Sequence, residues 1–189
     1  MRHFPAFLDL AGRRALVLGT GEIGHRKAEA LARAGAEVVM RDAFDPADLA
    51  GCAIAIGADA NEADLAALSR VAQARGIPVN VVDRPALCTF TVPATLRRGD
   101  LTIAIATEGR CPALAGILRE ELAERYGPEF AELAGLFGEA RKKMIELGWD
   151  GRRIRETLAG IYRAGDRRAL EEFLTRRACG GSSSSGTSS

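Results

Sequence analysis

Gly19-Thr20-Gly21-Glu22-Ile23-Gly24 carries the G-x-G-x-x-G spacing. Glycines at those intervals suit a backbone that turns tightly and then approaches an anion. The first permits the turn, the second lets the main chain come close to a pyrophosphate, and the third packs a helix against a strand. The free N–H groups at the start of that helix, at Glu22 and Ile23, then face the phosphate oxygens. The motif has this meaning only between a strand and a helix. Asp42 lies 18 residues beyond Gly24. Dinucleotide-binding units place a ribose-binding acid at about that distance. Arg41 beside it could equally greet a 2′-phosphate, and a solvated turn is a third use of the pair.

Asp83 closes the run Val79-Asn80-Val81-Val82. Ligands of open parallel sheets bind outside the carboxyl ends of the strands. An acid there can be partly buried, with a raised pKa that suits proton abstraction. Capping of the turn at Arg84-Pro85 is the alternative. Thr107-Glu108-Gly109-Arg110-Cys111-Pro112 joins a strand to a helix. Cys111 falls at or beside the helix N-cap, where a thiol can be acidified. No base accompanies it in the sequence, so a structural or ligand-facing thiol is favoured over a nucleophile. His3 and His25 are the only histidines and lack ligand partners at helical spacing. Cys52, Cys88, Cys111 and Cys179 form no C-x-x-C pair and no zinc-like cluster.

The elements that must hold these residues alternate. Arg14 to Leu18 reads as a buried strand that feeds the glycine turn. Residues 24–34 read as a helix stopped by Gly35, and Glu37 to Met40 as the next strand. Residues 45–49 are a short helical start, 52–57 a strand, 61–75 a helix and 79–83 a further strand. Such alternation implies an α/β fold with a parallel sheet covered on both faces. Thr89 to Val92 and Leu101 to Ile105 read as strands around a hairpin turn at Arg97-Arg98-Gly99-Asp100. Helices follow over 112–126, with Pro112 in its favoured first position, and over 128–147. Ile154, Leu158 and Ile161 mark a third, and Leu170, Phe173 and Leu174 a fourth.

The chain has 189 residues, 47% hydrophobic and 27% charged, with 26 basic against 25 acidic side chains. That is enough apolar residue for a core. Residues 1–95 carry 10 basic and 11 acidic groups, 96–126 carry 5 and 5, and 127–178 carry 11 and 9. No section has the basic excess of a general nucleic-acid binder. The apolar run at the N-terminus is too short and interrupted for a signal peptide, and no stretch approaches a membrane span. Together with dispersed cysteines this places the expected compartment in the cytoplasm. Residues 180–189 are only Gly, Ser and Thr, the composition of a flexible tail.

Taken in order, several segments resemble one family. They are Phe4-Pro5-Ala6-Phe7-Leu8-Asp9-Leu10, the glycine motif continued by His25-Arg26-Lys27, Asn80-Val81-Val82-Asp83, Phe90-Thr91-Val92-Pro93-Ala94, and Thr107 to Ala115. The pattern is similar to the precorrin-2 dehydrogenase/sirohydrochlorin ferrochelatase family, the N-terminal part of siroheme synthase. The resemblance covers residues 4–126 well and the helical remainder loosely. It implies a Rossmann-like NAD domain over 1–95, a segment over 96–126 that builds an intertwined homodimer, a small helical domain over 127–179 and a tail over 180–189. The implied reaction is oxidation of precorrin-2 to sirohydrochlorin with NAD, in siroheme or cobalamin synthesis. Insertion of ferrous iron, as a second substrate, is implied for many members. Asp83 falls on the aspartate implicated in both steps.

Gly19, Gly21, Glu22, Ile23, Gly24 and Asp42 are the expected cofactor contacts. Asn80, Arg84, Thr107, Gly109, Arg110 and Cys111 are the expected contacts of a substrate rich in carboxylates. Four departures stand out. Met40 runs almost directly into residues 45–49, where the family has another helix and strand. Residues 57–61, Gly-Ala-Asp-Ala-Asn, replace an A-T-D-D-like loop near the cofactor. Cys111 stands where Ser is common. Gly24 replaces a common Ala, a change expected to leave the turn unaffected. No methyltransferase domain follows, so the chain is expected to lack that third activity. Two other functions fit these residues: a tetrapyrrole chelatase or binding protein that no longer uses NAD, and a nucleotide-sensing module without turnover.

Overall fold

A computed structural model describes residues 3–175. Cys179 and the Gly/Ser tail lie outside the described residues. The chain divides into two compact units. The first holds the residues up to Ala94 together with Ala106–Ala115, and the second holds Thr95–Ile105 and the described residues from Gly116 on. The 96–126 segment is thus shared between them.

In the first unit β1 (Arg14–Leu18), β2 (Glu37–Arg41), β3 (Cys52–Gly57) and β4 (Val79–Val81) form one sheet. Their order is β2-β1-β3-β4, and every neighbouring pair is parallel. Side chains alternate across a strand, and the core divides accordingly. Leu16, Leu18, Ala55, Val79 and Val81 face one side with Leu65, Leu68 and Ala72 of α2 (Glu62–Ala74). Ala15, Val17, Ile54 and Ile56 face the other with Ala28 and Leu31 of α1 (Glu22–Arg33). The parallel sheet covered on both faces is as the alternating pattern predicts.

The connection from β2 to β3 crosses β1 without an α-helix. It contains only a 3₁₀ turn, Pro46–Leu49, capped by Asp45, whose Oδ1 accepts from the Ala47 N–H at 2.8 Å. Buried Leu49 joins the core from this turn. The chain therefore reverses direction across the sheet between β1 and β3, and in such sheets the carboxyl ends of the strands at that point are where a ligand crevice forms.

Two expectations need correction. The strand over 79–83 stops at Val81. The Val82 N–H still reaches Gly57 O at 2.9 Å, but Asp83 turns away with φ 58°. Thr89 to Val92 is not a strand. Thr89 exchanges bonds only with Val79, its N–H to Val79 O and its Oγ1 from Val79 N, both at 2.8 Å. The hairpin partner is instead β5 (Ala94–Arg98), joined to β6 (Leu101–Ile105). The turn is tighter than 97–100 implies, because Gly99 with φ 55° closes it and draws the preceding residues into pairing.

The second unit adds helices to that hairpin. They are most of α3 (Pro112–Arg125), with α4 (Glu129–Glu146), α5 (Gly151–Ala164) and α6 (Arg167–Thr175). Arg98 donates to Tyr126 O at 2.9 Å and to Ala123 O at 3.3 Å, closing the carbonyl end of α3. Ala140, Met144, Ile154 and Leu170 form buried contacts of the bundle.

Candidate functional site

β1 delivers the chain into Gly19, where φ is 110°, a backbone region that favours glycine. Gly19 N–H bonds Arg41 O at 2.7 Å, so the turn is pinned to the end of β2. Helix α1 begins at Glu22, and Gly21, its N-cap, supplies no side-chain cap. The N–H groups of Glu22 and Ile23 have no partner among the described residues. The Gly24 N–H is different: it donates to Asp59 Oδ2 at 2.8 Å. This turn can seat a diphosphate on the two open N–H groups at the positive end of the helix.

The glycines are explained by neighbours within the chain. A Cβ on Gly19 would lie 2.5 Å from Asp59 N, and one on Gly21 would lie 2.6 Å from Asp59 Oδ2. The second glycine of such a motif is expected to face a pyrophosphate; its nearest neighbour here is a carboxylate of the chain itself. A Cβ on Gly24 would lie 2.1 Å from Gly19 O. Gly24 is thus accommodated where the family commonly has Ala, and this turn is wound too tightly to admit a methyl group there.

Asp42 follows β2, and its Oδ1 accepts a short hydrogen bond from Thr20 Oγ1 within the glycine turn. The acid and the turn are thus one structure. Arg41 is engaged elsewhere: its Nε pairs with Asp48 Oδ1 at 2.9 Å and its Nη1 donates to Met40 O at 2.9 Å. Asp42 therefore stands at the glycine turn, while Arg41 is committed to Asp48 and Met40 O.

Asp83 is exposed rather than partly buried, because it sits in the turn beyond the strand. Its notable neighbour is Lys27. Gly24, Ala28 and Leu31 are the buried stripe of α1, and Lys27 borders that stripe at helical spacing. Lys27 is half-buried. Burial holds its pKa below the usual lysine value, the adjacent Arg26 lowers it further, and the Asp83 carboxylate raises it in part. The carboxylate beyond β4 thus acts electrostatically on a lysine of the glycine-motif helix.

The remaining predicted residues divide. The Asn80 amide is used internally, donating to Phe90 O at 3.0 Å. Arg84 is paired with Glu62, Nη2 to Oε2 at 3.0 Å; this pairing raises the Arg84 pKa and lowers that of Glu62. Its guanidinium is committed to α2 in this conformation. Thr107, Glu108, Gly109 and Arg110 form a turn closed by Arg110 N–H to Thr107 O at 2.9 Å. The two central residues have φ 52° and 77°, as a type I′ turn requires. Thr107 Oγ1 accepts from Cys111 N–H at 3.2 Å, and Cys111 O receives the Ala115 N–H at 3.4 Å. Cys111 is thus the residue at the head of α3, with an exposed free thiol. Residues 107–111 belong to the same unit as the glycine turn. No group of three His, Cys, Asp or Glu side chains able to hold a metal occurs among the described residues. No helix among them is long and apolar enough to cross a membrane.

Residue-level reading passed over Thr20, Lys27 and Asp59. The signal for Asp59 was its place after β3, directly across the crevice from the glycine turn. Lys27 stood in the His25-Arg26-Lys27 continuation of the glycine motif without a role of its own.

A family model described as "Putative NAD(P)-binding" matches residues 6–42 and 39–94. Siroheme synthase of Pseudomonas paraeruginosa (strain DSM 24068 / PA7) is 36% identical over 211 positions, which cover 96% of this chain and 45% of the relative. Siroheme synthase of Methylobacillus flagellatus is 36% identical over 172 positions, covering 78% of this chain and 37% of the relative. The chain thus spans less than half the length of these curated relatives. Among solved structures, SirC, precorrin-2 dehydrogenase, superposes with a TM-score of 0.73 at 24% identity, covering 91% of this chain and 97% of that one. This likeness establishes the fold.

Proposed function

We propose that this chain, which belongs to the family formed by the N-terminal part of siroheme synthases, oxidises precorrin-2 to sirohydrochlorin with NAD. One observation carries the reading. The glycine turn with its open N–H groups, the Thr20–Asp42 bond and Asp83 all stand at the carboxyl ends of one parallel sheet. When bound, NAD supplies the hydride acceptor. Glu22 and Ile23 N–H groups hold its diphosphate and Asp42 its ribose. Asp83 takes the proton that the macrocycle loses as the hydride leaves, and its exposure leaves it open to a large substrate. The same carboxylate can receive pyrrole protons when ferrous iron, as substrate, enters the product. Gly109 and Arg110, in the exposed turn before α3, are the free polar contacts for substrate carboxylates; Arg84 would first leave Glu62.

A homodimer in the cytoplasm completes the reading. Leu114 and Ile117 of α3 are 44% and 53% exposed, and a partner copy would cover them. Sedimentation as a sharp monomer would argue against it.

Anaerobic absorbance of the protein with precorrin-2, with and without NAD, is the test. Sirohydrochlorin and NADH should appear together, and only with NAD. Asp83→Asn should slow this by about 10²–10⁴-fold while NADH binding persists. Full activity in that variant would remove Asp83 from the mechanism.

The second reading is a chelatase that no longer uses NAD. It is favoured by the β2–β3 connection, which lacks a helix, and by an alignment of 211 positions that exceeds the chain's 189 residues. It predicts iron insertion into supplied sirohydrochlorin without NAD and no oxidation of precorrin-2.

A further inference from the structure

Asp59 has no part in the reading so far, yet its backbone and carboxylate stand directly against the glycine turn. It stands in the loop after β3, and that loop is tethered to β1. Leu18 and Gly57 are register partners, and the Ala58 N–H donates to Leu18 O at 2.9 Å. The β1 and β3 loops are therefore held side by side at the crevice. Asp59 uses this position in two ways. Its Oδ2 accepts the Gly24 N–H at 2.8 Å, so the third N–H of α1 is capped from a neighbouring strand rather than from the residue before the helix. Its backbone and side chain also form the wall against which Gly19 and Gly21 close, at 2.5 and 2.6 Å from a Cβ built on either.

The N-cap position itself is Gly21 and offers no acceptor. A helix start without a cap frays readily. The turn then loses the fixed direction of its remaining N–H groups. We infer that Asp59 is a positioning residue for the dinucleotide: by capping Gly24 and walling the turn, it fixes the Glu22 and Ile23 N–H groups in the direction that receives a diphosphate. The inference rests on the proposal that this turn binds NAD. What matters is the acceptor and the shape, since a negative charge beside a diphosphate is repulsive. An amide of the same shape can therefore replace the carboxylate, whereas a methyl group cannot.

The test compares Asp59→Ala with Asp59→Asn in the full chain. Affinity for NADH is read by fluorescence titration, and exchange of the Gly24 amide in the unliganded protein by NMR. Asp59→Ala is expected to weaken NADH binding about tenfold or more, the value of a lost hydrogen bond to a charged group, and to speed Gly24 amide exchange. Asp59→Asn is expected to bind NADH at least as tightly as the wild type and to keep the amide protected. If Asp59→Ala binds NADH as well as the wild type, or if Asp59→Asn fails to restore binding, the positioning role is overturned. A wild type that binds neither NADH nor NADPH overturns the cofactor reading itself and the role with it. Gly24 exchange then still shows whether Asp59 orders the turn.

Discussion

Replacing Gly24 with Ala perturbs the glycine turn at its tightest point. The new methyl carbon would lie 2.1 Å from Gly19 O, about 0.9 Å inside the 3.0 Å limit that real Cβ atoms respect. The obstacle is backbone, so no side chain can rotate away. Gly19 cannot easily give either, since its N–H is held by Arg41 O at 2.7 Å. The start of α1 must lift off the sheet. Overpacking of this kind costs about 1–3 kcal/mol. Lifting α1 also stretches the Gly24–Asp59 hydrogen bond of 2.8 Å, and a bond to a charged group contributes about 1.5–3 kcal/mol. The two effects share one displacement and do not add fully, so a loss of about 2–4 kcal/mol is expected. The sole tryptophan, Trp149, lies in the second unit, so its fluorescence is a poor reporter. Amide exchange of β1 and β3, together with far-UV circular dichroism in urea, is the suitable assay. NADH affinity should fall at least about tenfold. A variant with unchanged β1 protection and unchanged NADH affinity would refute the packing argument and show that the turn relaxes around a methyl group.

Three further outcomes follow from the same contacts. Lys27→Met should stabilise the protein at neutral pH. The folded Lys27 pKa lies below its ordinary 10.5, so the cost of keeping it charged is present at neutral pH, declines as pH rises through the folded value, and is gone above 10.5; urea midpoints at pH 7 and 11 should show a gain at the first and none at the second. Asp42→Ser should shift the NADPH-to-NADH affinity ratio by about tenfold toward NADPH, because a carboxylate that repels a 2′-phosphate is removed; an unchanged ratio would separate Asp42 from the ribose. Gly160→Ala, in the exposed face of α5 with nothing within 4 Å of the new Cβ, should stabilise that helix by about 0.5–1 kcal/mol in thermal unfolding.

The parts of the fold legible in the sequence were those set by local pattern. β1, α1, β3 and α2 follow from apolar runs and helical spacing, and their cores are where periodicity puts them. The hairpin was misplaced because Thr89 to Val92 has strand composition while its bonds to β4 are those of Thr89 with Val79 and of Phe90 O with the Asn80 side chain, with no strand ladder. Composition cannot report which partner a strand finds. At the site, the glycine motif and Asp42 were legible because both obey a spacing along the chain. The resemblance set Asp59 in a loop near the cofactor, but its contact with Gly24 was not legible, since it spans 35 residues and exists only once β1 and β3 pair.

The shortened β2–β3 connection bears on the same site. In a doubly wound sheet a strand beyond β2 would shield its outer edge. Here β2 is itself the edge, and its residues are half-exposed. Edge strands need a feature that opposes unwanted pairing. Arg41 and Asp48 supply one, their ion pair drawing the chain after β2 back toward the 3₁₀ turn. Phe44 then packs against the core, and its N–H bonds Asp64 Oδ2 at 3.2 Å. These contacts fix the segment on either side of Asp42, which leaves that carboxylate directed by Thr20 alone. A β2–β3 connection without an α-helix thus leaves the acid bonded to the glycine turn. The family resemblance implies a further strand at that edge, and with it a part of the adenosine pocket that this chain would lack. The expected consequence is selective: NADH affinity weaker than in the longer relatives, with nicotinamide mononucleotide bound equally well by both. Equal affinity for the whole dinucleotide would show that the missing strand contributes nothing to the pocket.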